Sequence, residues 1–200
     1  EYLQTLNVVD IATRWSECLA LANRSQRQVT TAMDRLRARL PFPLLGIDSD
    51  NDSAFINDNL YRYCQQEHIT FTRSRPYKKN DQAHIEQKNW SVVRRLIGYD
   101  RYESAEEQAL FEAIYQDWRL YVNFFQPVLK LLEKRRVGSQ VRKRYDTART
   151  PYQRVLESPD VSEQDKERLR QIYAILNPVA LRQRIDANLE RLWKRPRKPS

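Results

Sequence analysis

Two acidic residues with thirty-five residues between them, Asp50 and Glu86, stand in contexts that suit metal-dependent chemistry on a phosphodiester. The apolar run before Asp50 predicts a short strand over 44–47, buried on both faces, that delivers the carboxylate at its C-terminal end. Glu86 lies near the beginning of a helix predicted over 82–97. Mg²⁺ binds carboxylate oxygens and keeps coordination positions for phosphate and water. The pair therefore predicts catalytic ligands that hold Mg²⁺ or Mn²⁺, as two ions beside the scissile bond.

Both acids also have ordinary structural explanations. Asp50 could cap the helix that is predicted over 55–67, which is a common role for Asp. Glu86 could be a solvated residue in the first turn of its helix, where the helix dipole favours negative charge. Asp48 is a neighbouring candidate for the ligand position. Taken one at a time, the residues leave these alternatives open.

Basic residues surround the position of the glutamate. Four of them lie in or beside a loop ahead of the predicted helix and three lie on the helix itself: Arg73, Arg75, Lys78, Lys79, Lys88, Arg94 and Arg95. Lys and Arg displace counterions from nucleic-acid phosphates. The set therefore predicts DNA contacts that position the duplex rather than read its bases. A flexible, solvated loop is the alternative.

The positive charge of the chain is concentrated in its C-terminal third. The 200 residues have a net charge of +9, yet residues 1–127 hold 16 Lys and Arg against 17 Asp and Glu. Residues 128–200 hold 19 basic residues against nine acidic ones. A basic segment joined to a near-neutral, acid-bearing domain predicts a polyanionic partner, most simply DNA. The alternative is a pair of basic helices that are merely solvated.

The remaining composition indicates a cytoplasmic protein. The sequence contains no run of eighteen apolar residues, so neither a membrane span nor a membrane partner is expected. The two cysteines, Cys18 and Cys64, stand in apolar or helical contexts. They are expected to be reduced, buried thiols rather than a disulfide.

The order of elements predicts a mixed sheet with helices on its faces. Alternating and apolar runs indicate strands over 2–11, 15–22, 44–47 and 69–72, and a three-residue turn joins the first two. Helical periodicity indicates helices over 27–40, 55–67, 82–97 (ending at Gly98) and 105–125. We divide the chain into a core, residues 1–127, and a basic, mainly helical extension, residues 128–200. In the extension, residues 150–152 suggest a turn, and helices are predicted over 163–176 and 179–194.

Four segments resemble the integrase core of bacterial insertion-sequence transposases and retroviral integrases, the DDE group of the RNase H-like superfamily. Residues 49–56 are similar to the Ser/Thr-Asp-Asn-Gly-x-x-Phe segment of that group, and residues 80–89 to its glutamate helix. Residues 71–77 resemble the strand and loop between them, and residues 123–127 the Asn-Phe/Tyr stretch that follows. The thirty-five-residue interval also matches the family, which favours the ligand interpretation of Asp50 and Glu86.

The resemblance implies an RNase H-like α/β fold whose first strand is missing from this chain. The family uses three acids, and the first Asp would lie upstream of Glu1, with Asp10 as the rival assignment. The implied activity is metal-dependent DNA cleavage and strand transfer on mobile-element ends and target DNA, performed by a homo-oligomer at the bacterial nucleoid. The alternative is a catalytically incomplete remnant that only binds DNA. Two departures stand out, because Asp52 and Arg14 occupy positions where the family usually or often has Gly.

Overall fold

The computed structural model describes residues 2–49, 54–73, 96–98 and 100–195, which form a mixed α/β structure. Its strands are β1 (Gln4–Val9), β2 (Ser16–Leu21), β3 (Gly46–Ser49), β4 (Thr70–Arg73), β5 (Leu131–Val137) and β6 (Gln140–Tyr145). Its helices are α1 (Gln26–Arg39), α2 (Ala54–Gln66), α3 (Ala105–Phe125), α4 (Pro151–Glu157), α5 (Glu163–Ile175) and α6 (Pro178–Trp193). The α/β class predicted from the sequence is confirmed.

Strand β2 lies at the centre of the core. It pairs with β1 as an antiparallel hairpin, and its side chains are buried throughout, whereas those of β1 are half-buried. Cys18 and Ala20 pack with helices α3 and α6. Leu19 and Leu21 point to the opposite face and pack with α1 and α2. Helices therefore cover both faces of β2, as the alternation of side chains along a strand allows.

Strands β3 and β4 form a parallel pair that is joined through α2. Gly46 lies opposite Thr70, and Ser49 lies opposite Arg73. The predicted strand over 44–47 is wrong in its burial, because Leu45 is 78% exposed and the side chains of β3 alternate between exposed and half-buried. The apolar run precedes the strand instead of forming it, and β3 presents Ile47 alone to the hydrophobic cluster beneath it.

The first hairpin and the parallel pair share a hydrophobic cluster. In the described part of the chain the six strands form three two-stranded sheets. Leu6 and Val8 of β1, Ile47 of β3 and Phe71 of β4 nevertheless all pack against the cluster built on α1 and α2. The two sheets therefore belong to one core.

Helix α3 begins and ends where its sequence signals predict. Ser104 and Glu107 form a capping box, in which each side chain accepts a hydrogen bond from the backbone of the other end of the motif. Leu110, Ile114 and Trp118 lie buried on one stripe of the helix. For the helix predicted over 82–97, most residues lie outside those that the structure describes. Gly98 has φ +97°, the left-handed region that suits a residue just past a helix end.

The C-terminal third differs from its prediction in two places. Residues 131–145, expected within a mainly helical extension, form the β5–β6 hairpin. Residues 150–152, predicted to be a turn, begin helix α4, because Thr150 caps it and Pro151 fits a first-turn position that needs no N–H. The two helices predicted after this point are confirmed as α5 and α6. Helix α6 packs against α3 through the core cluster that also contains Ile185 and Leu189.

Neither membrane spans nor disulfides occur in the described residues. Among the helices of this part of the chain, none combines the length and the apolar character needed to cross a bilayer. Cys18 and Cys64 are buried thiols, as the sequence predicted. Burial raises the pKa of the Cys64 thiol.

Candidate functional site

The carboxyl ends of β3 and β4 lie side by side. Because the strands are parallel and Ser49 pairs in register with Arg73, the chain leaves both strands at the same edge. Asp50 is the next residue after β3, and the predicted basic loop follows β4. Ligand sites in α/β proteins concentrate at the carboxyl ends of parallel strands. This edge is therefore the candidate functional site of the core.

Asp48 and Thr72 connect the two strands at this edge. The Thr72 hydroxyl donates a hydrogen bond of 2.8 Å to the Asp48 carboxylate, and both residues are exposed. The bond joins two residues that lie directly opposite one another in the register of β3 and β4, close to the ends of the strands. Asp48 therefore has a structural partner in the sheet.

Most of the residues predicted to form the site fall outside the described part of the chain. This holds for the two acids and for most of the basic set: Asp50, Glu86, Arg75, Lys78, Lys79, Lys88, Arg94 and Arg95. Arg73 ends β4, and nothing is described of its side chain. The roles of these residues stay predictions, and the departure at Asp52 also lies outside the described residues.

Asp10, the rival first acid, performs a structural task in the turn of the first hairpin. Its carboxylate accepts hydrogen bonds of 2.6 Å from the backbone N–H and from the hydroxyl of Thr13. Arg14 completes the turn at φ +67°, a left-handed conformation that explains why glycine suits this position. The two short bonds of Asp10 account for its presence without any metal.

The residues that the sequence predicts as metal ligands, Asp50 and Glu86, both lie outside the described residues. Within residues 2–49, 54–73, 96–98 and 100–195, no group of three or more His, Cys, Asp or Glu side chains could bind a metal ion. Two carboxylates supply the hard oxygen ligands that Mg²⁺ prefers, and Mg²⁺ commonly takes only one or two of them from a protein. The chemistry of the pair thus fits Mg²⁺ or Mn²⁺.

A buried ion pair that the sequence did not predict holds β2 against α3. The Glu17 side chain is 1% exposed and accepts two hydrogen bonds, of 2.9 and 2.7 Å, from Nε of Arg119. The indole N–H of Trp15 donates a third, of 2.9 Å. These hydrogen bonds satisfy the Glu17 carboxylate inside the core. Glu17 therefore holds β2 in place and is not part of a solvent-facing site.

Asn123, the first residue of the segment that resembles the Asn-Phe/Tyr stretch, clamps the edge of β2. Its side-chain oxygen accepts a hydrogen bond of 2.8 Å from the backbone N–H of Ser16. Its amide nitrogen donates one of 2.8 Å to the backbone carbonyl of the same residue. Both residues are completely buried. The amide therefore pairs with the strand as a neighbouring backbone would, which gives this segment a structural role.

The β5–β6 hairpin is a strongly basic, exposed surface, and the sequence predicted its charge but not its form. Its base is fixed by Asp146, whose carboxylate accepts hydrogen bonds from the backbone N–H of Lys130 at 2.6 Å and from Arg154 at 2.7 Å. The bond from Arg154 is the main reason that the pKa of Asp146 lies below its usual value. The ammonium of Lys130 reaches the carbonyl of Ala12 at 2.8 Å, in the turn of the first hairpin.

Comparison with known proteins gives a relative but no function. The chain is 48% identical over 144 residues to the uncharacterized protein y4rM of Sinorhizobium fredii (strain NBRC 101917 / NGR234). The aligned part is 72% of this chain and 41% of the relative, so the chain spans less than half of the relative's length. No family model matches the chain.

Proposed function

We propose that the chain is part of a DDE-type transposase or integrase that cleaves and joins DNA with the help of divalent metal ions. The observation that carries the proposal is the parallel β3–β4 pair, whose shared carboxyl edge leads directly into Asp50 on one strand and into the basic loop on the other. The sequence resemblance supplies the reaction class. The partners would be mobile-element ends and target DNA, within a homo-oligomer at the bacterial nucleoid.

An RNase H-like arrangement would account for the separation of the first two sheets. Both pack on one hydrophobic cluster, although no described strand joins them. One further strand between them would unite the hairpin and the parallel pair into a single mixed sheet. The resemblance assigns such an opening strand, with the first catalytic Asp, to the region ahead of the hairpin.

The residues of the chain would divide the chemistry in a simple way. Asp50 and Glu86 would hold Mg²⁺ or Mn²⁺, which when bound stabilises charge on the attacking and leaving oxygens of the phosphate. The basic residues from Arg73 to Arg95 would orient the DNA backbone. In cleavage, water would attack the phosphorus and form a new P–O bond as the phosphodiester bond breaks, which leaves a 3′ hydroxyl and a 5′ phosphate. In joining, that hydroxyl forms a new bond to a target phosphate as the old target bond breaks.

The test is strand joining by the protein extended with the coding sequence upstream of Glu1, with radiolabelled element ends, plasmid DNA and Mg²⁺ or Mn²⁺. We expect Glu86→Gln and Asp50→Asn to abolish joining while duplex binding persists. Asp48→Asn is the matched control, since it changes an acid two residues away whose oxygen already has a structural partner. Undiminished joining by Glu86→Gln would refute the assignment.

A DNA-binding protein that has lost catalysis is the second candidate. It is favoured by the exposed basic hairpin, which does not depend on the two acids. This candidate predicts duplex binding in the extended protein without any joining, whichever metal is supplied. An in-frame strand carrying an Asp in the upstream coding sequence would argue against it.

A further inference from the structure

The β5–β6 hairpin is an exposed ribbon of positive charge. Across Leu131–Tyr145 six residues are basic and one, Glu133, is acidic. Every side chain of β6 is exposed, and so are those of residues 131–136 on β5. The two strands meet through a two-residue loop, because Val137 pairs with Gln140, and Gly138 takes φ +62° within it. The ribbon thus presents charge without covering any core.

The pairing of the strands places three cations on each face of the ribbon. Residues directly opposite one another in an antiparallel pair point to the same face, and successive residues alternate. Lys134 lies opposite Lys143, and Arg136 lies two positions from Lys134 on the same strand. We call these three residues the first face.

The second face carries the other three cations. Arg135 lies opposite Arg142, and Arg144 follows on the same side. Glu133 lies opposite Arg144 and makes a loose ion pair of 3.6 Å with it, with both side chains more than half exposed. Such an exposed pair contributes little and leaves the face strongly positive.

Like charges stand directly across the ribbon from one another. Lys134 faces Lys143 and Arg135 faces Arg142, an arrangement that lowers the stability of an isolated hairpin. An anionic partner would turn this repulsion into attraction on both faces at once. The charge pattern therefore points to a ligand that surrounds the ribbon with negative charge rather than touching one side of it.

We propose that the β5–β6 hairpin inserts into the major groove of duplex DNA and binds the phosphates of both groove walls. A groove about 12 Å wide and 8.5 Å deep accepts a two-stranded ribbon. The seven residues of β5 span about 20 Å at the usual rise of a strand, enough to follow the groove. With cations on both faces, each face meets a different sugar-phosphate backbone.

The same features disfavour other polyanions. Single-stranded nucleic acid is held by aromatic platforms, and Tyr145, at the base, is the one aromatic residue in the ribbon. Double-stranded RNA has a deep, narrow major groove, which leaves no room for a two-stranded ribbon between its walls. A membrane surface would contact one face and leave three cations on the other face unused. Duplex DNA uses both.

The inference goes beyond the chemistry proposed for Asp50 and Glu86, because a ribbon can bind a duplex whether or not those acids cleave it. It also separates the hairpin from the basic loop of the core. The hairpin would hold a duplex without sequence preference, since its contacts are to phosphates.

The test is the affinity of the 200-residue chain for a fluorescent 30-base-pair duplex of mixed sequence, titrated between 50 and 200 mM salt. One variant neutralises the first face (Lys134→Gln, Arg136→Gln, Lys143→Gln), and another the second (Arg135→Gln, Arg142→Gln, Arg144→Gln). Each phosphate contact contributes about eightfold in 0.1 M salt, so each triple variant should lose affinity by up to about 500-fold and lower the salt slope by up to about 2.7.

A charge-matched control replaces three exposed cations of α5 and α6 and its C-terminal end: Arg168→Gln, Arg191→Gln and Lys194→Gln. We expect this variant to bind within about threefold of the unaltered chain. Circular dichroism should show unchanged folding in all three variants, because every substituted side chain is exposed. Loss of affinity from only one face, equal loss from the control, or absence of duplex binding by the unaltered chain would overturn the proposal.

Competition identifies the partner. Anionic lipid vesicles should fail to displace the duplex at equal charge concentration, and displacement by them would overturn the assignment to DNA. The outcome is distinct from that of the strand-joining test. If both face variants keep the duplex affinity of the unaltered chain and still join strands, the proposal for the hairpin is refuted and the proposed chemistry is not. If both face variants lose duplex affinity but the unaltered, extended protein joins no strands, the proposed chemistry is refuted and the proposal for the hairpin is not.

Discussion

Replacing Asn123 with alanine should destabilise the core by removing the clamp on β2. The change leaves the N–H and the C=O of Ser16 buried without the partners that now lie at 2.8 Å. An unsatisfied buried group costs about 1–3 kcal/mol, so the two together cost about 2–6 kcal/mol. Alanine returns roughly 0.5 kcal/mol through its better helix propensity. The expected loss is therefore about 1.5–5.5 kcal/mol, a large share of the stability of a typical domain.

Urea unfolding followed by tryptophan fluorescence measures this loss, and Asn188→Ala on α6 is the control. Asn188 is partly exposed and accepts a single long hydrogen bond of 3.5 Å from Arg191. Its replacement should change the free energy of unfolding by less than about 0.5 kcal/mol. A value for Asn123→Ala within that same margin would refute the clamp.

Asn123→Asp provides a second readout that a simple cavity would not give. The new carboxylate can still accept from the N–H of Ser16, but it faces the Ser16 carbonyl without a proton to donate. Burial and this carbonyl should raise its folded-state pKa above the unfolded value. Stability relative to the unaltered chain should therefore recover as pH falls from 7 to 5 and be lost as pH rises. A gap that does not change with pH would contradict the donor role of the amide.

Two further predictions concern charged contacts of the fold. Arg119→Met should lower the free energy of unfolding by about 3–5 kcal/mol, because it leaves Glu17 buried without its main partner. Adding Glu17→Gln should restore part of that free energy. If the losses of the two single variants simply add in denaturant unfolding, the prediction is contradicted. Because its pKa is held below the usual value, Asp146 stabilises the fold above the unfolded pKa of about 3.9. Asp146→Asn should therefore have a lower free energy of unfolding than the unaltered chain at pH 7, and this difference should shrink as the pH falls. A difference in unfolding free energy at pH 3 equal to that at pH 7 would disprove the prediction.

The parts of the fold that the sequence predicted are those fixed by local signals. Helix α3 was predicted with the residues it has, because its apolar residues recur on one stripe, and the capping box of Ser104 and Glu107 begins the helix at the same place. Both strands of the parallel pair were predicted in the right order along the chain, but the predicted burial of the first strand was wrong. An apolar run indicates that side chains are covered somewhere, and the run over 43–45 does not tell whether it forms the strand or leads into it.

The basic hairpin escaped prediction because its strands show no alternation between a buried and an exposed face among the described side chains. Strand signals rest on alternation between apolar and polar residues, and here four charged residues stand in a row on β5 and three on β6, with the described side chains of both strands exposed. The signal that could have revealed the hairpin is the pair Gly138–Ser139, which suits a two-residue hairpin loop between two strands. The ion pair of Glu17 could not have been found this way, since its partner lies 102 residues further along the chain.

The contacts that fix the base of the β5–β6 hairpin affect how its charge could be used. Asp146, directly after β6, accepts hydrogen bonds from Lys130, directly before β5, and from Arg154 of helix α4. Arg154 also donates to the carbonyl of Val128 at 2.9 Å. Lys130 then connects this base to Ala12 in the turn of the first hairpin. A ribbon fixed at its base loses less conformational freedom on binding than a flexible basic tail of the same charge, so more of the phosphate attraction is retained as affinity. The contacts at the base of the β5–β6 hairpin extend, through Lys130, to the β1–β2 hairpin of the core. A duplex bound by the ribbon would therefore be held at a defined distance from the core sheet, which a flexible tail cannot do.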